Sequence, residues 1–547
     1  MKNFLFLFSF LLFVQVTFGQ RETEEVFVTA SKGKTGFQIN DKGELQVNVT
    51  PKDLKKFKSR GYITYQDLGA RGDGKADDID AIAATHAVAN EHKLKVKAND
   101  GATYYISGKR RTAIVRTDTD FGKAAFVIDD RNVENRNASV FLVTSEKKPF
   151  KPEGITTLKK NQTKVSGTYP GTCLITVTNS NVKHYIRFGP NQDNGSSQTD
   201  IFVVDRNGNV DMNAPIIWDF DQITEIEALP VDEDILTITG GKFTTIANQA
   251  ESKYTYYSRN IGIRRSNVVV DGLVHLVTGE GEHGAPYGGF LNINNCAYVT
   301  VKNTTLTGRK TYRTIGSAGV PVSMGSYDLS VGRAISVSFI NCKQTNDITD
   351  RTYWGILGSN YCKNLVYDNC EFSRFDAHKG VANATIRNSK LGHMGINAIG
   401  SGTLLVENTT LYGGSLVNLR SDYGSTWQGD FIIRNCVFVP NNGRTSSPSL
   451  INGSYSGQHD FGYTCYMPER IIIENLKIDD SNHPENYEGP AIFSNFNSKY
   501  TDDSYVEKYP YIRTKEVVLK NISTASGKPV RISSNPVMFK SVKVKSE

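Results

Sequence analysis

No two of the seven cysteines stand three positions apart, so the sequence holds no C-x-x-C pair of the kind that builds a zinc site or a dithiol centre. Their odd number also argues against a complete disulfide framework. Beyond residue 20 no apolar run is long enough to span a bilayer. Neither sign of charge dominates. The net +7 is a modest basic excess that favours an anionic partner, and nothing in its distribution calls for nucleic acid. With 38% hydrophobic and 22% charged residues, disorder is excluded. What is abundant instead is glycine (48), phenylalanine (27) and tyrosine (26), a mixture that implies many strands and many turns. At 547 residues the chain suits several domains or one elongated repeat.

The first twenty residues read as a secretory signal: Lys2, an apolar core from Phe4 to Val16, then Thr17 and Gly19. No cysteine stands at its end to carry a lipid. The mature protein is therefore expected to be secreted or periplasmic, soluble and monomeric. Residues 21–60 form a polar, Lys-rich lead-in with at most a short helix. Residues 61–235 hold an N-terminal cap and an inserted β-rich region, in which Asn207-Gly208 marks a hairpin. Residues 236–547 carry a degenerate repeat.

The cap opens on Asp67-Leu68-Gly69-Ala70-Arg71-Gly72-Asp73-Gly74-Lys75-Ala76-Asp77-Asp78-Ile79-Asp80-Ala81-Ile82. It reads as a strand, a Gly-rich turn, an acidic N-cap and a helix through about His92. Asp73, Asp77 and Asp78 are expected in turn and capping roles rather than as a metal cluster. The segment resembles the opening of the pectate-lyase-like superfamily. That resemblance implies an all-β fold, a right-handed parallel β-helix with an N-terminal capping helix.

The repeat has the register apolar, charged, Asn, as in Val301-Lys302-Asn303, Tyr367-Asp368-Asn369, Ile386-Arg387-Asn388, Val406-Glu407-Asn408 and Ile473-Glu474-Asn475. Intervals run from 19 residues (Asn369 to Asn388) to 46 (Asn475 to Asn521), which fits fixed strands with loops of varying length. At the bend between two strands each Asn amide can bond its own turn and the Asn one rung away. Cys342, Cys370 and Cys436 follow such an Asn, and are expected as a column of small buried thiols.

Three segments within residues 372–430 superpose: Phe375-Asp376-Ala377-His378, Ile396-Asn397-Ala398-Ile399 and Val417-Asn418-Leu419-Arg420. Their period-two alternation predicts three successive rungs, about 4.8 Å apart. One face would be buried. The other would expose a ladder Asp376–Asn397–Asn418 beside a ladder His378–Ile399–Arg420, with Lys379, Arg374, His393, Tyr423 and Trp427 in the adjoining turns. Loops at 308–333, 351–360 (with Arg351) and 441–469 are expected to wall the groove.

A hydrolase needs two carboxyl groups roughly 5 to 9.5 Å apart. None of the Asn-Thr-Asp, Asp-Asp and Gly-His-Gly segments of the polygalacturonase-like branch is in place on these rungs, where Asp376 is the sole acid, with Asp422, Glu280 and Glu282 as candidate partners. A lyase acting on a uronate needs cations or amides on the carboxylate, a base for the α-proton and an acid for the leaving oxygen. The expected roles are Arg420 and the Asn ladder on the carboxylate, His378 or Lys379 as base, and Tyr423 or His393 as acid. Arg374, Asp376, Asn397, Asn418, Trp427 and Arg351 would bind substrate. The stretch Leu419-Arg420-Ser421-Asp422-Tyr423-Gly424-Ser425-Thr426-Trp427 resembles exported Bacteroidetes-type β-helix lyases, in particular the glycosaminoglycan-degrading polysaccharide lyase family 29. It implies an anionic polysaccharide such as chondroitin or hyaluronan as partner. No cofactor is required by these residues. Calcium is compatible with the fold, although Asp376 and Asp422 alone are too few for its oxygen cage. A glycoside hydrolase and a non-catalytic glycan-binding solenoid are the alternatives.

Overall fold

The computed structural model describes residues 26–30, 33–355 and 357–546. The expected export signal, residues 1–20, lies outside them. Among the described residues, 28 strands join into one continuous sheet whose rungs pair in parallel, coil upon coil. This is the expected right-handed parallel β-helix. Its coils begin at Tyr62–Thr64 and Asp73–Asp77, well ahead of residue 236. Helix α1 (Pro51–Arg60) starts at Thr50, whose hydroxyl accepts from the Asp53 N–H, and ends at Gly61 in the left-handed region (φ 77°). Helix α2 (Ile79–His92) closes the end of the solenoid with nearly all of its surface covered.

The acidic trio before α2 bonds backbone N–H groups, Asp77 taking those of Ile79 and Ser107. Asp73 accepts from the N–H groups of Lys75 and Ala76, and Asp78 from those of Arg71 and Gly72. The lead-in holds more than a short helix. Leu45, Val47 and Val49 alternate inward, and their strand Leu45–Asn48 joins Phe27–Thr29 and Gly36–Ile39 in a small sheet.

The recurring asparagines turn the coils from residue 303 onward, and Gly272 takes the same bend one coil earlier. Asn303, Asn341, Asn369, Asn388, Asn408, Asn435, Asn475 and Asn521 all have φ between 48° and 54°. Asn tolerates that left-handed conformation better than other side chains with a Cβ. Their amides also bond along the column, as Asn369 Nδ2 to Asn341 Oδ1 (2.8 Å) and Asn475 Nδ2 to Asn435 Oδ1 (2.8 Å). Inside the same bend Cys342, Cys370 and Cys436 are buried. The column continues through Ser389, whose hydroxyl accepts from the Cys370 N–H. All seven cysteines are buried and free of disulfides.

Between Thr144 and Leu236 the chain leaves the solenoid and forms a three-stranded antiparallel sheet ordered Ser196–Val204, Cys173–His184, Glu225–Pro230. One of its faces builds a core of its own from Cys173, Ile175, Val177 and Phe202. The other lays Leu174, Ile201 and Val203 on Ala297 and Ile335 of the solenoid. A fully buried ion pair, Asp200 to Lys363 at 2.8 Å, pins the two bodies together.

Candidate functional site

The three proposed rungs stack in the expected register: Asp376 pairs with Asn397, and Asn397 with Asn418. The next rung extends the column to Asn452. The amides form a chain, Asn452 Nδ2 to Asn418 Oδ1 (3.0 Å) and Asn418 Nδ2 to Asn397 Oδ1 (2.7 Å), ending on the Met394 carbonyl. A pocket of about 370 Å³ lies along this column, lined by Met394, Asn397, Ser415, Asn418, Ser449 and Asn452. Arg351, exposed, reaches Asn441 at its rim, where Asn441 lies against Gly414.

The second column is not open to solvent as expected. The chain at 185–196, just beyond the inserted strand Cys173–His184, crosses over it. Its backbone bonds Phe461 and Asp422, and Tyr185 packs on Ile399 and Tyr423. His378 and Arg420 do protrude on the same side, but both are half-buried beneath this strap. Five further expectations of exposure are corrected. Asp376 is fully buried because two arginines close over it, and Arg374 is buried with it against Trp354. Tyr423 is buried under the strap. Trp427 is fully buried: it opens the strand Trp427–Phe438, turns inward onto Phe431 and donates its indole N–H to the Gly402 carbonyl, so it is a core residue and not a groove residue. Asn397 is also largely covered, by its neighbours in the amide chain.

What these residues form is an alternating ionic chain. Arg374 Nη2 lies 2.8 Å from Asp376 Oδ2, and Arg420 Nη1 lies 3.2 Å from Asp376 Oδ1. Arg420 then grips Asp422 with two further nitrogens, at 3.1 and 2.7 Å, and Arg187 of the strap reaches Asp422 at 2.8 Å. Burial disfavours the Asp422 carboxylate, but Arg420 and Arg187 outweigh it and hold its pKa below the usual range. Burial likewise opposes charge on Arg420, and Asp376 and Asp422 reverse that.

Tyr423 sits at the centre of the cations. Arg187, Lys379 and Arg420 lie 5.4, 5.4 and 5.6 Å from its ring centroid. His378 meets it edge-on, with Nε2 3.5 Å from the hydroxyl, while His378 Nδ1 is 2.8 Å from Asn360 Oδ1. Burial, and after it the charges of Arg420, Lys379 and Arg187, keep the imidazole neutral far below its ordinary pKa. Burial pushes the Tyr423 hydroxyl up and the Lys379 ammonium down. Lys379 has Ser196 Oγ at 3.1 Å. No carboxylate lies within ion-pair distance of it among the described residues. His393 stands apart, bonded to the Tyr353 carbonyl at 3.2 Å. The set brought together is thus Arg374, Asp376, His378, Lys379, Arg420 and Tyr423, with Arg187 and Asn360 added. Neither carboxylate is free to cage a calcium ion, since both are saturated by guanidinium groups.

Arg187 carries no sequence signal beyond the cluster Lys183-His184-Tyr185-Ile186-Arg187, because the insert's docking cannot be read from a repeat. Asn360 was recoverable: its strand Leu357–Asn360 is the rung before Phe375–His378.

The fold and this polar face define a parallel β-helix protein with a groove along one sheet. No model of a known protein family matches the sequence. Among solved structures the chain resembles the tailspike gp49 of Pseudomonas phage LKA1 (TM-score 0.50, 12% identity, covering 88% of this chain and 84% of that one). It also resembles the Gp54 tailspike of Acinetobacter baumannii bacteriophage AP22, solved in complex with a capsular saccharide (TM-score 0.50, 8% identity, 94% and 82%). At these identities the likeness is one of fold. A curated relative, a KL64-specific capsule depolymerase of Klebsiella phage P510, is 28% identical over 115 residues; the match covers 17% of this chain and 11% of that protein's length.

Proposed function

We propose that the protein is an exported polysaccharide lyase that cleaves a uronate-containing anionic polysaccharide by β-elimination, with a glycosaminoglycan such as chondroitin or hyaluronan as the favoured substrate. The observation that carries the reading is the charge of the site. Four cations meet three carboxylates (Asp376, Asp422 and, beside Lys379, Asp193) around a neutral histidine and a tyrosine hydroxyl, an excess that an acidic sugar would neutralise. The capsule-depolymerase relative and the tailspike likeness support a polysaccharide as substrate. In this reading Lys379 and Arg187, less saturated than Arg420, engage the uronate carboxylate, and the Asn ladder holds neighbouring hydroxyls. His378 Nε2 takes the α-proton. The electron pair forms the new C=C bond as the C–O bond breaks, and Tyr423 gives its proton to the leaving oxygen. Transfer from His378 Nε2–H to the phenolate restores both groups. The strap lifts from Tyr423 to admit the polymer. A hydrolase is disfavoured because Asp422 is held ionised and does not offer a proton.

Incubation with chondroitin, hyaluronan, alginate and pectin, followed by absorbance near about 232 nm, reads the conjugated product of elimination. His378→Ala is expected to abolish the signal and Lys379→Ala to lower it sharply, each with the fold intact. No absorbance on any polyuronate refutes the lyase reading, and new reducing ends without it indicate hydrolysis. The burial of Tyr423 favours a second reading, a glycan-binding solenoid, which requires retention on an anionic-glycan column with no product.

A further inference from the structure

We propose that Asn360 is a positioning residue that fixes the tautomer of His378 and so makes Nε2 the acceptor that faces Tyr423. The inference deepens the reading above and rests on it for its kinetic consequence, but not for its structural one. Asn360 ends the rung Leu357–Asn360, directly beside the His378 rung in the parallel ladder. Its Oδ1 lies 2.8 Å from His378 Nδ1. An amide oxygen only accepts, so Nδ1 carries the proton. A neutral imidazole has one such proton, which leaves Nε2 with its lone pair toward the Tyr423 hydroxyl.

The groups that face His378 are cations and a phenol: Lys379 on its own strand, Arg374 near the start of that strand, Arg420 and Tyr423 from the turn two rungs on, and Arg187 from the strap. Among the described residues no carboxylate bonds the ring. Asn360 is therefore the one partner in this set that chooses between the two nitrogens. With the opposite tautomer, Nε2 would hold a proton already. It would have no lone pair to take the α-proton of a substrate, and so would gain no proton to pass on to Tyr423.

Histidine labelled with 15N in the ring, assigned with a His378→Gln control, reports the tautomer without substrate. The expected result at neutral pH is a protonated Nδ1 and a bare Nε2 in the native protein, and a mixture in Asn360→Leu. A native signal with the proton on Nε2, or an unchanged tautomer in Asn360→Leu, overturns the proposal. Asn360→Asp is near-isosteric and guards against a variant that fails to fold. Its carboxylate should raise the His378 pKa by about one unit or more in the same titration, and an unmoved pKa also overturns the proposal. On a cleaved polysaccharide, Asn360→Leu should lower kcat by about 100-fold with KM little changed, and Asn360→Asp should move the acidic limb of the pH profile upward. If no polyuronate is cleaved the lyase reading fails, and the spectra still decide the role of Asn360.

Discussion

Removing the Lys363 ammonium should loosen the inserted sheet without disturbing the solenoid. Lys363 and Asp200 are each only 1% exposed in their side chains and meet at 2.8 Å. Lys363 also donates to the Pro215 carbonyl, while Asp200 accepts from the N–H groups of Ile201 and Ile217, both at 2.7 Å. Lys363→Met leaves a buried carboxylate with two backbone donors and no countercharge, a loss of about 3–5 kcal/mol. Asp200→Asn in the Lys363→Met background removes the stranded charge and keeps an acceptor, so at least half of the loss should return. Native-state hydrogen exchange on the amides of Cys173–His184 reads the opening of the insert alone, which matters because a long solenoid does not unfold in one step. A change below about 1 kcal/mol in Lys363→Met would refute the argument that this pair anchors the insert.

Three further outcomes follow from the same physics. Burial holds the pKa of His86 at about 3 and that of His184 at about 4, against an ordinary 6.5. Both stay neutral in the fold while the unfolded chain takes up protons, so the stability they contribute is full above pH 6.5 and is lost as pH falls toward those values, at about 1.4 kcal/mol per unit for each, measurable by denaturant titration across that range. Asn408→Ala should cost about 1–2 kcal/mol because its φ of 48° is left-handed, and Asn408→Gly should cost much less; equal losses would show that the amide bond, not the backbone, matters. Trp427→Ala should cost about 3–5 kcal/mol by opening a cavity beside Phe431, read as a shift in denaturation midpoint.

The solenoid was legible because its two signals are local. Apolar residues at every second position place the rungs, and Asn at one recurring bend satisfies a left-handed φ that few other residues accept. The register of Asp376, Asn397 and Asn418 followed from that alternation. Burial did not follow, because alternation distinguishes two faces without saying what covers the second. Here a strap from 185–196, over 170 positions away in sequence from most of what it covers, lies on Ile399 and Tyr423. Trp427 was misplaced for a related reason. It begins the strand that pairs Gly400 with Trp427, and that coil's inward side takes the indole. Asp376 was read as an exposed acid, and only coordinates bring Arg374 and Arg420 onto it.

The sealed thiols bear on how the molecule withstands an oxidising medium. Once the coils have closed, an oxidant in the medium meets no sulfur nucleophile at the surface among the seven, and no bridge is there to be reduced. The nascent polypeptide has no such protection. Renaturation in air is therefore expected to scramble a fraction of the molecules into mispaired products, whereas a reducing buffer should return them intact.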